Sequence, residues 1–164
     1  MVEPSKKVPA EDRWAIATRA LTGGIAAIAK ADQDEVGQER YNEMSGQVWA
    51  ELGGASKLVA DALGPARGDA KSAVETFQLV TGVTMGPEFE RTVEGTAEKA
   101  ILRTTECVWW NRQKELGVSD LCSVACPAYC NAFAKSLNPK ITVSLTKAMP
   151  RGDPYCEHVW ELEK

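Results

Sequence analysis

Four of the five cysteines fall within the run CVWWNRQKELGVSDLCSVACPAYC, from Cys107 to Cys130, and any chemistry this chain performs starts there. Cys122, Cys126 and Cys130 recur every fourth residue, so on an α-helix each thiol is displaced from the last by only about 40° and roughly 6 Å. All three would share one face. Thiolates suit zinc and iron–sulfur clusters alike, and the spacing matches neither a Cys-x-x-Cys zinc ribbon nor a ferredoxin run. We therefore expect Cys107, Cys122, Cys126 and Cys130 as ligands of a metal ion or cluster, with Cys156 as a fifth thiol. Reactive-thiol chemistry and plain core filling are the competing accounts, because free cysteine also behaves as a small buried hydrophobe.

The other candidates are few. His158 is the only histidine, which excludes a HExxH zinc site and any triad needing a second imidazole. It shares a strand face with Cys156 and Trp160 and reads first as core, with ligation or proton transfer as the alternative. Glu106, beside Cys107, could serve as a catalytic carboxylate or simply be a solvated strand-end charge. Trp109, Trp110 and Tyr129 are candidates for lining a cofactor or ligand pocket, against the plainer role of core aromatics. Arg151-Gly152-Asp153 reads as turn chemistry.

Composition limits these accounts. Hydrophobic residues make up 44% of the 164 and charged residues 26%, as in a folded globular chain. This length supports one domain, here 1–164, with a helical part over 10–82 and a cysteine-bearing sheet part over 84–164. A net charge of −4 leaves no basic surplus for phosphates, so nucleic acid is not an expected partner. The N-terminus lacks an apolar export core, and the run Ala20 to Ala31 is too short and too interrupted to span a bilayer. We thus expect a cytoplasmic protein with no membrane association, in a compartment where clustered thiols are more often ligands or catalysts than disulfides. The expected partner is a small ligand or substrate, with a homodimer through the N-terminal helices as a further expectation.

The elements that must position the thiols follow from periodicity and punctuation. After a loose lead-in over residues 1 to 9, Trp14, Ala17, Leu21, Ile25 and Ile28 space a helix from Ala10 to Ala31. Asp32 or Asp34 can cap a second, carrying Tyr41, Met44, Val48, Trp49, Leu52, Leu58 and Leu63, with Gly53-Gly54 as a candidate point of division and Gly64-Pro65 as its stop. Asp69 caps a third, which ends at Gly82. Phe89, Arg91 and Val93 then alternate with Glu90, Thr92 and Glu94, predicting a strand that turns at Glu94-Gly95 and returns over Ala97 to Val108.

A short helix over Trp109 to Leu116 is closed by Gly117, and Ser119 or Asp120 caps the next segment, which reaches Leu137. Pro127 leaves two versions of that segment open. In one, a single kinked helix carries all three thiols; in the other, Pro127 opens the helix with Cys126 at its N-cap and Cys122 in the turn before. Both bring the thiols to a helix N-terminus, whose dipole favours thiolate. A terminal hairpin pairs Ile141 to Thr146 with Tyr155 to Glu163. The predicted fold is α+β: N-terminal helices followed by an antiparallel four-stranded sheet, ββααββ, flanked by helices.

Several runs carry a resemblance to a known family. Thr105-Glu-Cys-Val-Trp-Trp, the stretch from Gly117 through Cys130, Leu137-Asn-Pro-Lys140 and Arg151-Gly-Asp-Pro-Tyr-Cys-Glu157 together resemble the L-2-amino-thiazoline-4-carboxylic acid hydrolase-like family, over roughly residues 84 to 163. More distantly, the closing Gly-Asp-x-x-Cys pattern is similar to the 4-vinyl reductase small-molecule-binding domain, although His158 stands where that pattern has Phe. The first resemblance implies ring-opening hydrolysis of a small sulfur- or nitrogen-containing heterocycle. The second implies a non-catalytic metal, cluster or small-ligand sensor.

Overall fold

The computed structural model describes residues 7–64, 68–118 and 120–164; the lead-in up to residue 6, Pro65 and the cap position Ser119 lie outside them. The chain order is α1 (Ala10–Val36), α2 (Gln38–Ala55), α3 (Lys57–Leu63), α4 (Ala70–Met85), β1 (Glu90–Gly95), β2 (Lys99–Glu106), α5 (Val108–Leu116), α6 (Ala125–Leu137), β3 (Ile141–Lys147) and β4 (Cys156–Leu162). This is the predicted α+β arrangement. The strands form one antiparallel sheet in the order β1-β2-β4-β3. Its inner face presents Ala100, Leu102, Val143 and Trp160 to Phe77 of α4 and to Tyr129 and Phe133 of α6. No helix among the described residues is long and apolar enough to cross a membrane.

The helix boundaries differ from the periodicity in instructive ways. α1 runs on to Val36, so Asp32 and Asp34 sit inside it instead of capping α2; the break comes at Gly37, where φ is 76°. The line buried along α1 is Thr18, Thr22 and Ala26, not the predicted apolar stripe. Threonine can be buried there because Thr18 donates to the Trp14 carbonyl at 2.8 Å and Thr22 to that of Thr18 at 2.9 Å. Gly86 closes α4 at a φ of 104°, and a Cβ there would lie 2.4 Å from Thr18 Oγ1, so the two elements approach too closely for a larger residue. Ile16, Leu21, Ile28, Val48, Leu52 and Leu58 are left exposed on the N-terminal helices, on which the expected homodimer was placed.

α2 is not divided at Gly53-Gly54. Gly53 is the point at which α2 packs against α6, since a Cβ there would lie 2.3 Å from the Tyr129 carbonyl oxygen. The break falls instead at Ser56, whose hydroxyl donates to the Leu52 carbonyl and lies 2.7 Å from Tyr129 Oη. Gly53→Ala should therefore destabilise the fold by about 1–3 kcal/mol through overpacking. Urea unfolding with an unchanged m-value checks this, and a midpoint equal to wild type would remove the close contact from the account.

α4 begins as predicted, with Asp69 and Ser72 forming a reciprocal capping box, but continues past Gly82 to Met85. The first hairpin turns one step later than expected, over Thr96 to Glu98, with Thr96 N–H donating to the Lys99 carbonyl at 2.7 Å. The return strand is correspondingly shorter, Lys99–Glu106, and Val108 already belongs to α5. Of the two versions of the Pro127 segment, the structure is nearer the second, shifted by two residues. α6 starts at Ala125 with Val124 at its N-cap, Pro127 lies in the first turn where its missing N–H costs nothing, and Cys122 lies in the preceding turn.

Candidate functional site

The sheet and the two cysteine-bearing segments meet around a partly enclosed cavity of about 110 Å³. Its far wall is α1 and α2, through Ile25, Ala26, Tyr41 and Trp49; its floor is the inner face of β2 and β4. Trp49 meets Trp109 edge to face, with ring centroids 5.1 Å apart, and contacts Tyr129 at 6.1 Å. Trp109 Nε1 points at the Met85 sulfur at 3.3 Å. These aromatics are pocket wall and core at once, so Trp109, Trp110 and Tyr129 all border the cavity.

All five cysteines are free and all five line this cavity together with His158. Their surroundings divide them into two sets. Cys126 and Cys130, on successive turns of α6, and His158, on β4, offer donor atoms that all lie within 4.8 Å of one another. His158 Nε2 is 3.2 Å from Cys126 Sγ, and its buried Nδ1 has no partner. The other three thiols are engaged by the chain itself. Gln113 Nε2 donates to Cys122 Sγ, Met149 N–H donates to Cys156 Sγ at 3.3 Å, and backbone N–H groups of Trp110 and Trp109 face the Cys107 thiol at the start of α5.

Local sequence explains the placement. Asp120 accepts from the N–H groups of Cys122 and Ser123 at 2.8 and 2.7 Å, which turns the chain into α6. Gln113, fully buried, accepts from Leu121 N–H at 3.0 Å and thereby ties α5 to that turn. Asn131 receives Val143 N–H at 2.9 Å and donates to the Val143 carbonyl at 2.7 Å, stitching α6 to β3. His158 reaches the cavity by strand alternation, two residues from both Cys156 and Trp160. The core reading of His158 thus needs amending: it is buried, and it is also cavity wall.

The electrostatics overturn the expectation that a helix N-terminus would hold the thiols as thiolates. Burial pushes the Cys107 thiol up to about 12 and the Cys156 thiol up to about 11. Cys122 is raised well above its ordinary value, mainly by burial. Cys126 is raised too, by its hydrogen bond with Cys130 and by burial, and the opposing pull of His158 does not offset them. Loss of hydration exceeds what a helix dipole returns. Cys107, Cys122, Cys126 and Cys156 are accordingly poor nucleophiles at neutral pH as free thiols. A metal ion, which takes deprotonated thiols as ligands, reverses that balance.

Two further site residues escaped the sequence reading, Gln113 and Arg91. The signal for Arg91 was present, since it falls between Phe89 and Val93 on the face of β1 that should have been apolar. Glu106 is exposed at the end of β2 and is not part of the cavity wall.

The α+β fold is shared with solved structures. The chain is similar to the phenol-responsive sensory domain of the transcription activator PoxR, solved with phenol, at a TM-score of 0.60 and 16% identity, over 86% of this chain and 74% of that one. It is also similar to a trafficking protein particle complex subunit 3 from Naegleria fowleri covalently bound to palmitic acid, at a TM-score of 0.65 and 12% identity, over 91% of this chain and 96% of that one. No curated protein matches the chain. The family model of L-2-amino-thiazoline-4-carboxylic acid hydrolase matches residues 14–160, and the chain belongs to that family. The match takes in the N-terminal helices as well as the cysteine-bearing part in which the sequence carries the resemblance.

Proposed function

We propose that this chain binds a small, largely apolar molecule in the cavity, beside a metal ion held by Cys126, Cys130 and His158. The observation that carries the reading is the convergence of those three side chains, within 4.8 Å of one another, on the wall of an apolar, aromatic-lined cavity. Two thiols and an imidazole are a mixed donor set that favours a single borderline-soft ion such as zinc over an iron–sulfur cluster, which is usually held by four cysteines. An ion so held supplies a Lewis acid. The size of the cavity supports a ligand of one small ring, since an engineered void of about 150 Å³ accommodates benzene. A palmitoyl chain would require the walls to move.

Membership of the family supports ring-opening hydrolysis of a small sulfur- or nitrogen-containing heterocycle as the reaction. The chain's own part would be to orient the ring between Trp49, Trp109 and Tyr129 and to exclude water around it. One observation favours a non-catalytic sensor instead. Among the described residues no Asp or Glu lines the cavity, and with His158, the one histidine of the sequence, engaged as a ligand no free imidazole remains to move a proton. Incubation with L-2-amino-thiazoline-4-carboxylate, followed by mass spectrometry, separates the two. The hydrolase reading expects product from wild type and none from Cys126→Ser of unaltered fold; binding of the ring without product assigns the sensor.

A further inference from the structure

Among the described residues, Arg91 is the one guanidinium on the wall of the cavity, and no carboxylate lines it. Its polar contacts are with neutral groups: Nη1 donates to Thr81 Oγ1 at 2.6 Å and Nη2 to the Gln78 carbonyl at 3.1 Å, both on α4. Below, its Cζ lies 4.1 Å from the centroid of the Phe89 ring. No ion pair to Arg91 occurs among the described residues. Arg112, which is fully buried, is treated differently, with Glu88 and Glu115 both paired to it. Burial lowers the Arg91 guanidinium to about 10, so it still carries its charge at neutral pH. Cys107, within electrostatic reach, is pushed up to about 12 and supplies no counter-charge there.

A half-buried cation without a counter-ion carries an uncompensated dehydration cost, and the contacts to Thr81 and Gln78 do not use all five N–H donors of the guanidinium. The two contacts do fix its plane against α4. A fixed, part-dehydrated guanidinium with free donors is the geometry that receives a planar anion through two parallel hydrogen bonds. The sheet register sets its relation to the thiol cluster. Arg91 pairs with Thr104, and Thr104 with Cys156, so Arg91 lies two strands away from β4 and, by register, two residues along from His158. With strands about 4.8 Å apart and residues about 3.4 Å apart, the two backbone positions are separated by roughly 12 Å. A single small ring bearing one anionic substituent, with both side chains reaching inward, spans such a gap.

Resting on the reading of the cavity as the ligand site, we propose that Arg91 is its specificity-determining residue, selecting ligands that carry a carboxylate against neutral molecules of the same shape. The test is calorimetric titration with thiophenecarboxylate and its isosteric amide, thiophenecarboxamide, on wild type, Arg91→Gln and Arg91→Lys. The acid should bind wild type at least about tenfold more tightly than the amide, the preference should vanish in Arg91→Gln, and the amide should bind that variant as it binds wild type. Arg91→Lys, which keeps the charge, should retain part of the preference and serves if the glutamine variant does not fold. Equal binding of acid and amide to wild type, or a preference that survives in Arg91→Gln, overturns the role of Arg91 and leaves the cavity reading standing. Absence of binding by either probe overturns both.

Discussion

Zinc affinity should fall by at least about 100-fold in Cys126→Ser and in His158→Ala, while Cys156→Ser stays within a few-fold of wild type. The expectation follows from how the thiols are engaged. Cys126 and Cys130 face each other and His158, so removing one donor removes a third of the converging set. Cys156 already accepts from Met149 N–H and Cys122 from Gln113, and neither belongs to that set. Changes to supporting groups around a metal commonly cost 10–100-fold, and loss of a ligand should exceed them. Competition against a chromophoric chelator measures all three variants. Equal losses for Cys156→Ser and Cys126→Ser would enlarge the ligand set to the wider group of thiols expected from spacing alone.

The second large effect is an alkaline loss of stability traceable to Cys107. Its folded-state value of about 12 lies above the ordinary value of 9.0, so the native state holds this proton more tightly than the unfolded chain does. Between those values the unfolded state binds fewer protons, and stability falls as pH rises. The contribution is complete below pH 9 and is lost as pH approaches 12. Three pKa units correspond to about 4 kcal/mol in total, an order-of-magnitude figure. The stability difference between wild type and Cys107→Ala, measured by urea unfolding in the presence of chelator, should therefore shrink steadily from pH 8 to pH 11. Titration of lysines and tyrosines cancels in that difference. A difference independent of pH would mean that the Cys107 thiol is not buried against the cavity wall as described.

Most of the fold could be read from the sequence because its punctuation is local. Asp69, Gly64, Gly117 and the alternation along β3 and β4 act over a few residues, and the boundary each marks falls within one residue of where it was expected. Long-range contacts decided the rest. The apolar stripe of α1 misled because buried threonines, satisfied by their own helix, tolerate the close approach of Gly86. Gly53 looked like a helix break and is a packing contact, visible only once α6 is laid against α2. At the site, the thiols announced the place but not the partition. Which two cysteines converge depends on α6 starting at Ala125 and on the register that brings His158 opposite Leu102 and Leu145. The preference for thiolate was misjudged because a helix terminus can be recognised in sequence and the dehydration of a sulfur cannot. Arg91 marks the same boundary: an arginine on an apolar strand face is legible, but its want of a counter-ion is a property of the assembled cavity.

The central claim is that Cys126, Cys130 and His158 form a metal centre at a ligand cavity. Elemental analysis of the full chain, purified without oxygen and without added metal, tests it most directly, with cobalt substitution as its spectroscopic arm. The account predicts about one zinc per chain and, on replacement by cobalt, a thiolate-to-metal charge-transfer band that is lost in Cys126→Ser. A folded, metal-free protein that takes up neither zinc nor cobalt, and whose five thiols all titrate freely on denaturation, would contradict it.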